Sequence, residues 1–285
     1  MPGPPLPCAA RAAETNPLGA FLRARRELVT PRQAGIPEAG VRRVPGLRRE
    51  EVAMLAGISA DYYLRLERGR DRNPSVQVLD ALARVLRLDD DHIAHLRSLV
   101  ADPPRRRVPA EPTPPPGVLK LLDALPQPAF VETRFFDIVA SNVPARALSP
   151  RLVPGGNQLR ALFLDPAEQA LLPDWESAAE CLVANLRQAA GSDTDHPRFV
   201  ELVAELTVAS PLFGSLWARH EVRGQRGGAL RFDHPRVGEM TLNRERFGVD
   251  GADLMLVVHH PDAGSRDAEK LALLVAAELP VRGQG

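Results

Sequence analysis

The chain has 285 residues, of which 36 are basic, 36 are acidic and 44% are hydrophobic. This length suits roughly two domains, and the composition is ordinary for globular protein. No apolar run approaches the roughly 20 residues of a membrane span. The Pro- and Ala-rich start lacks the pattern of a signal peptide. We therefore predict a cytoplasmic protein without a membrane partner.

The charges divide unevenly along the chain. Residues 1–107 contain 19 basic and 13 acidic side chains, whereas the remainder contains 17 basic and 23 acidic ones. A basic part joined to an acidic part favours a polyanionic partner for the first part alone. Chance segregation of charges on two solvated surfaces is the alternative at this point.

A proline-rich segment at 102–117 separates two differently patterned regions. So many prolines disfavour helix and sheet, which predicts a semi-rigid, extended connector. We predict a disordered tail at 1–14, a first domain at 15–101, a linker at 102–117 and a second domain at 118–285. Cys8 lies in the tail and Cys181 in the second domain, so a stabilising disulfide is not expected.

Before the linker, apolar residues recur at helical spacing in five short segments. Ser75, after Pro74, is a candidate N-cap of the fourth segment, and Asp89–Asp91 open the fifth where the helix dipole favours acids. The pattern predicts an all-α domain of about five helices. The segments are marked by Leu18–Leu22, Val52–Ala56, Tyr62–Leu66, Leu79–Leu86 and Ile93–Val100.

The stretch from Arg48 to Arg70 has the pattern of a helix-turn-helix. Ala53 supplies the small residue needed where the second helix crosses the first, and Gly57 supplies a turn residue that tolerates positive φ. Ile58 provides an apolar plug beneath the turn, and Ser59 can cap the second helix. An ordinary helical hairpin is the alternative.

A helix-turn-helix places its second helix in the major groove of double-stranded DNA. Arg65 is the best candidate for a bidentate contact to guanine, with a phosphate contact or a solvated side chain as alternatives. Asp61 repels phosphate and can serve as a capping residue only. Arginines before and within the first motif helix are expected to meet phosphates. The predicted DNA-binding residues are Arg42, Arg43, Arg48, Arg49, Ser59, Ala60, Asp61, Tyr62, Arg65, Arg68 and Arg70.

After the linker the pattern changes. Two short strands are predicted at 128–133 and 135–142, around a turn at Thr133–Arg134. Helical patterning dominates from about 158 to 220, and strands return in three segments before a closing helix at about 267–279. Strands at both ends with helices between them predict an α+β domain built on an antiparallel sheet. The three later strands begin near Ala229, Gly238 and Asp253.

The first domain resembles the N-terminal domain of MmyB-like regulators, a branch of the Xre helix-turn-helix class. The resemblance is carried by VPGLRREEVAMLAG at 44–57, DYY at 61–63 and LERGRDRNPS at 66–75. The long arm between Thr30 and Pro45 is also typical of that branch. The resemblance implies a transcription regulator that binds an operator.

The second domain resembles the C-terminal ligand-binding domain of the same regulators, over 164–187, 210–222 and 231–245. The resemblance implies a PAS-like fold, a sheet enclosing a pocket, and fatty-acyl ligands. Asn142 matches the PAS pattern in which an amide terminates a strand. The chain departs from the family where Arg244 stands in place of a frequent Tyr, and where His259 and His260 replace Tyr-Thr.

A ligand pocket needs apolar walls and a few placed polar groups. The large apolar candidates concentrate after the linker, although plain core packing is the alternative for each. An acyl carboxylate would require Arg or His, and His234 is a further candidate for this role. The predicted ligand-binding residues are Phe130, Phe136, Phe163, Trp175, Phe213, Trp217, Phe232, Arg134, Arg231, His220 and His259.

Catalysis finds little support in the sequence. His92 and His95 have a spacing compatible with a metal ion but are predicted to face solvent, and Cys181 is predicted to be a small core residue. No catalytic or phosphate-binding motif is present. We predict a homodimeric regulator without catalytic or metal-binding residues. No cofactor is expected, although a fatty acid or other apolar small molecule is a candidate bound ligand. A pure dimerisation module and a regulated enzyme are the alternatives for the second domain.

Overall fold

The structure is a computed structural model that describes residues 16–37, 45–100, 112–191, 193–221 and 228–278. The predicted tail and most of the predicted linker lie outside the described residues. The chain divides into two compact units. Among the described residues, the first unit contains five helices, and the second contains eight helices and five strands.

The first unit is all-α, as the periodicity predicts. Ser75 accepts a hydrogen bond from the Val78 amide (3.3 Å) at the start of the fourth helix, which confirms the predicted cap. The fifth helix begins with acidic residues as predicted, and Asp89 in addition caps it by accepting a hydrogen bond from the His92 amide (2.9 Å). The helices are α1 (Pro17–Leu28), α2 (Arg49–Ala56), α3 (Ala60–Glu67), α4 (Val76–Val85) and α5 (Asp90–Ser98).

The two histidines of α5 are core residues, so the prediction that they face solvent is wrong. His92 and His95 are buried, and their rings lie 6.3 and 5.2 Å from the ring of Phe21 in α1. Residues three apart share one helical face, and here that face is covered by an aromatic ring. Within the described ranges, no group of His, Cys, Asp and Glu is arranged to hold a metal ion.

The second unit has the α+β architecture that the sequence predicts. Its strands are β1 (Ala129–Thr133), β2 (Ile138–Ser141), β3 (Gly228–His234), β4 (Gly238–Gly248) and β5 (Leu254–His260). They form one antiparallel sheet in the order β2-β1-β5-β4-β3. The helices are α6 (Pro116–Ala124), α7 (Val143–Leu148), α8 (Gln158–Leu164), α9 (Pro166–Leu171), α10 (Trp175–Ala190), α11 (Pro197–Ala209), α12 (Pro211–Ala218) and α13 (Arg266–Ala276).

Three local features differ from the sequence-based expectation. Helix α6 begins at Pro116, inside the segment predicted as an extended linker, because proline fits the first turn of a helix. Helix α7 follows β2 directly and was not predicted. The turn between β1 and β2 is longer than predicted: it includes Phe136 at φ 66°, and β2 begins only at Ile138.

The two faces of the sheet are buried against different partners. Ala129, Val131 and Leu256 pack with Leu122 of α6 on one face. Phe130 and its partner in the sheet register, Val257, lie on the opposite face, hereafter the inner face. Side chains alternate along a strand and directly paired residues share a face. The same register therefore places Glu132, Arg244, Arg246 and His259 on the inner face.

Asn142 ends β2 and begins α7, as the strand-terminating pattern predicts. Its Oδ1 accepts hydrogen bonds from the Ala129 amide (3.0 Å) and the Ala145 amide (2.9 Å). Its Nδ2 donates to the carbonyls of Leu125 (3.1 Å) and Gln127 (2.8 Å). One buried side chain thus satisfies the end of α6, the edge of β1 and the first turn of α7.

Candidate DNA interface and ligand cavity

The predicted helix-turn-helix is present in the first unit. Gly57 ends α2 with φ 70°, and the amide of Ile58 donates to the carbonyl of Ala53 (3.0 Å). Ser59 then caps α3 by accepting a hydrogen bond from the Tyr62 amide (3.1 Å). These contacts satisfy the free carbonyls of one helix and the free amides of the next. The predicted turn and cap are both confirmed.

A buried ion cluster fixes α3 against its neighbours. We call it the Glu67 cluster: Glu67, at the end of α3, is bonded by Nε of Arg26 (2.7 Å) and Nε of Arg49 (2.6 Å). Arg26 also donates to the carbonyl of Leu47 (2.9 Å). Tyr63 is fully buried beside this cluster, and burial raises the pKa of its phenol. The cluster ties together α1, α2 and α3.

The other side of α3 faces solvent. Ser59, Ala60 and Asp61 are exposed, and Tyr62 is half-buried. These residues form the N-terminal part of the helix, which in a helix-turn-helix lies over base edges. In the described residues, the predicted DNA-binding face of α3 is therefore exposed.

Arg65, the predicted guanine-binding residue, is engaged within the protein. It forms ion pairs with Asp61 and, from Nε, with Asp71 (2.9 Å). Its guanidinium also lies 5.4 Å from the centre of the Tyr62 ring. A contact to a base therefore requires Arg65 to break or weaken its ion pairs with Asp61 and Asp71.

The arginines predicted to contact phosphates fall into different environments. Arg48, Arg68 and Arg70 are exposed, whereas Arg49 is partly engaged by Glu67. The amide of Arg48 donates a hydrogen bond to the Glu51 carboxylate (2.7 Å) at the start of α2. Arg42 and Arg43 lie outside the described residues.

The second unit contains a cavity of about 110 Å³. Its walls come from the inner face of the sheet and from the helices packed near it, and they are mostly apolar. The lining includes Leu148, Leu162, Leu171, Leu182, Phe232, Gln158, Arg244 and His259. Such a cavity, apolar with a few polar groups, is the usual form of a small-molecule site.

A second buried ion cluster stands at the polar wall of the cavity. We call it the Glu132 cluster: Glu132 is completely buried, and its Oε1 lies 2.6 Å from Nη2 of Arg246 and 3.7 Å from Nη2 of Arg244. Gln158 donates a hydrogen bond to the same carboxylate. Arg246 also stacks on Phe136, at 5.2 Å from the ring centre. Two guanidiniums therefore share one carboxylate.

Burial disfavours charge throughout this cluster. It raises the pKa of Glu132 in spite of the two arginines, and it lowers the pKa of Arg244. Burial, with the nearby charge of Arg244, also lowers the pKa of His259 to about 3. His259 is thus neutral near pH 7, and its ring contacts Phe130 and Phe232.

The predicted ligand-binding residues only partly coincide with this cavity. Phe232 and His259 line it. Phe163, Phe213 and Trp217 instead form an aromatic cluster in the helical core, with Phe163 and Phe213 at 5.3 Å and Phe213 stacked on Trp217 at 5.9 Å. Of the remaining aromatic candidates, Phe130 in β1 lies in the core on the inner face of the sheet. Phe136 belongs to the helical core, and Trp175 packs against it.

The charged candidates lie away from the cavity lining. Arg134 pairs with Asp253 (3.3 Å), and Arg231 is exposed and pairs with Asp174 (3.0 Å). His220 is bonded to Arg187 (3.0 Å). His234 lies near the carbonyl of Ala147 (3.2 Å).

Sequence reasoning missed the polar wall. Arg244, Arg246 and Glu132 were not among the candidates, although Arg244 was noted as a departure from the family pattern. In β4 the two arginines continue the alternation begun by the buried Met240 and Leu242, and two charges at inward positions are a readable signal. Cys181, predicted as core filler, is half-buried and lines the cavity.

Together, a helix-turn-helix and a sheet-and-helix domain with a mostly apolar cavity define a DNA-binding transcription regulator that carries a ligand-sensing domain. The family model described as the MmyB-like transcription regulator ligand binding domain matches residues 114–274, and a helix-turn-helix domain model matches residues 17–96. The chain belongs to the MmyB-like transcription regulators. A search of curated proteins found no match. In the described part of the chain, no helix combines the length and apolar character needed to cross a membrane.

Proposed function

We propose that this protein binds a specific double-stranded DNA operator as a homodimer, and that its second domain senses a small apolar or fatty-acyl effector. The proposal rests on one observation: a single chain joins a helix-turn-helix with an exposed face on α3 to a domain with a mostly apolar cavity. We place its action in the cytoplasm, on nucleoid DNA.

The dimer follows from the size of the DNA interface. One short helix of eight residues buries too little surface for tight, specific binding. Two such helices in successive major grooves, about 34 Å apart, combine their contacts. The operator should therefore contain two half-sites related by the symmetry of the dimer.

The proline-rich segment before α6, at 102–115, is the proposed connection between sensing and binding. Proline-rich chains are semi-rigid spacers, so the second domains of a dimer can set the distance between the two DNA-binding domains, at 15–101 of each chain. An effector that alters the second domain would change that distance and hence operator affinity. By thermodynamic linkage, operator DNA then changes effector affinity by the same factor.

The DNA part is tested by selecting duplexes from a random-sequence pool with the full chain. Fluorescence anisotropy on the selected duplex then gives the affinity, and sedimentation gives the number of chains bound. A selected sequence with two half-sites and two bound chains supports the proposal. Failure to enrich any sequence would contradict operator binding.

The sensing part is tested by mass spectrometry of small molecules released from the purified protein. A released fatty acid or other apolar compound that changes the anisotropy curve supports sensing. Release of nothing, with no response of DNA binding to added fatty acid, would instead leave the second domain as a dimerisation module.

A further inference from the structure

The outer side of α11 is apolar where a surface helix is usually charged. Val200, Ala204 and Val208 are spaced four residues apart and share one side of the helix. All three are exposed, and Val208, at 88%, is the most exposed large hydrophobic side chain of the described residues. We call these three residues the α11 surface. The opposite side of α11 packs in the helical core, so the α11 surface is apolar area that the second unit leaves unburied.

The charged residues of α11 are paired within the chain. Arg198 donates to Asp137 from Nε (2.9 Å) and to Glu201 from Nη1 (2.8 Å). Glu205 accepts a hydrogen bond from Nε of Arg160 in α8 (2.8 Å), and Arg160 also pairs with Glu201 (3.4 Å). These ion pairs lie on the side of α11 that faces α8. A second apolar surface can therefore approach the α11 surface without burying an unpaired charge.

The residues of the α11 surface are arranged symmetrically along the chain. Ala204 lies at the centre, with Val200 four residues before it and Val208 four residues after it. Pro197 and Pro211, both exposed, are also equally far from Ala204 along the chain. A two-fold interface uses the same patch on both chains and must be complementary to itself. A different partner protein would not require this symmetry.

We propose that the α11 surface is the contact between two copies of this chain, with the two α11 helices antiparallel about a two-fold axis at Ala204. Each Ala204 then meets its own copy, and each Val200 meets Val208 of the second copy. This inference rests on the proposed homodimer and names the surface that forms it. Rows of residues four apart pack into each other at a crossing angle of about 50°, and small residues at the crossing allow helix axes to approach to about 8 Å.

The size of the contact sets its strength. Helix α11 has 13 residues and is about 20 Å long. Leu164, one turn beyond Arg160 in α8, is 41% exposed and extends the apolar area beside α11. A single pair of helices of this length is small beside a standard interface of about 800 Å² per partner. The free dimer should therefore be weak, and a duplex with two half-sites should stabilise it by holding both chains together.

The first test is sedimentation of the full chain at increasing concentration, free and with the selected duplex. Val208→Glu is compared with Leu273→Glu, in which a leucine of α13 with 68% exposure is replaced. The double variant Val200→Lys/Val208→Glu brings opposite charges together only across the proposed two-fold axis. Because these side chains are exposed in the single chain, each variant should fold, and tryptophan fluorescence gives its melting temperature.

We expect the parent and Leu273→Glu to form the same dimer. Val208→Glu should raise the dissociation constant of the dimer at least about 10-fold, because the contact would bury a charge against valine. The double variant should recover most of this loss. Val208→Glu should also weaken binding to a duplex with two half-sites and leave binding to a duplex with one half-site unchanged.

Cross-linking is a second test, which decides the matter if Val208→Glu does not fold. In a chain that carries Cys8→Ser, Ala204→Cys places a thiol on the axis, where two copies come within disulfide distance. Val200→Cys places its thiol about 12 Å from its own copy. Mild oxidation should link Ala204→Cys into a covalent dimer and leave Val200→Cys and the Cys8→Ser parent unlinked.

Equal dimerisation of the parent and Val208→Glu overturns the inference, and so does equal cross-linking of Ala204→Cys and Val200→Cys. If two chains assemble only on the duplex, equal affinity of the parent and Val208→Glu for that duplex overturns it as well. In these cases the proposed homodimer stands, with its contact elsewhere. A parent that stays monomeric both free and on the duplex removes the inference and the proposed homodimer together.

Discussion

The two buried ion clusters of the molecule have the same composition and different completeness. Each places one carboxylate between two arginines. In the Glu67 cluster, Arg26 is bonded to Glu67 and to a backbone carbonyl, and Arg49 is 42% exposed, so water can solvate its remaining N–H groups. In the Glu132 cluster both arginines are withdrawn from solvent, and Arg244 faces a cavity.

This difference indicates what each cluster does. A closed cluster joins three helices and holds α3 in the orientation that the helix-turn-helix requires. The Glu132 cluster instead places Arg244 at the cavity. The same charge pattern can thus join helices in one domain and border a cavity in another, and the remaining solvent access of the arginines distinguishes the two clusters.

The largest effect is expected from a substitution that breaks the Glu67 cluster. Arg26→Met should lower the unfolding free energy of α1–α3 by about 3–5 kcal/mol, because it leaves the buried carboxylate of Glu67 with only Arg49 as a partner. It also removes the hydrogen bond from Arg26 to the Leu47 carbonyl. Hydrogen exchange of peptides from these helices in the full chain measures it. Arg23→Met, on the exposed side of α1, is the control. A loss no greater than that of the control would contradict a structural role for the cluster.

The turn offers a second way to release α3. Gly57→Val should cost about 1–3 kcal/mol, since a β-branched residue fits φ 70° badly. A side chain at this position meets no atom within 4 Å, so the cost comes from the backbone conformation alone. Gly57→Asn, which tolerates positive φ, should cost much less. Equal losses for Val and Asn, by the same exchange measurement, would remove the backbone explanation.

His259, beside the Glu132 cluster, predicts that the stability of the second domain depends on pH. His259 has a pKa of about 3 in the folded protein, below the ordinary value of 6.5. The unfolded chain therefore binds the proton first, and stability falls as the pH drops from about 6.5 towards 3, by up to about 1.4 kcal/mol per pH unit. His259→Phe should remove this contribution, whereas His260→Phe should not.

Denaturant unfolding across that pH range measures the effect. The chain has two tryptophans, Trp175 and Trp217, and both lie in the second unit, so their fluorescence follows that domain. Parallel pH profiles for the parent and His259→Phe would show that His259 is not held neutral by burial.

The smallest effect concerns single exposed charges at the DNA interface. If Arg48 meets a phosphate, Arg48→Ala should weaken binding to all sequences and reduce the slope of log affinity against log salt by about 0.9. Arg49→Ala should change the slope less and stability more, since Arg49 is bonded to Glu67. Arg97→Ala on α5 is the control. Anisotropy at several salt concentrations measures all three, and an unchanged slope for Arg48→Ala would exclude it from the interface.

Local chemistry made much of the fold predictable. Gly57, Ser59, Ser75 and Asn142 each act on backbone groups within a few residues, so the sequence pattern is sufficient to assign them. The antiparallel α+β architecture likewise follows from alternation and turn residues. Helix α6 was missed because its start lies among prolines that also suit an extended chain.

The site depends on long-range contacts, which the pattern does not contain. His92 and His95 are buried because Phe21 covers them, and this pairing joins residues more than 70 positions apart. The alternation of residues in β4 is sufficient to predict that Arg244 points to the inner face. Its ion pair with Glu132 depends on the strand order β1-β5-β4, which the sequence pattern does not contain. Most of the aromatic residues predicted to bind a ligand instead fill or pack against the helical core.

The two carboxylates that hold Arg65 have a consequence for how the protein searches a chromosome. Asp61 and Asp71 neutralise this arginine while α3 is free of DNA, so it adds little attraction to arbitrary phosphates. Non-specific sites outnumber operators by about 10⁶ or more, and every unit of sequence-independent attraction lengthens the time spent on them. We expect this arrangement to shorten each unproductive visit, and to release Arg65 only where a base edge offers acceptors that match its planar fork.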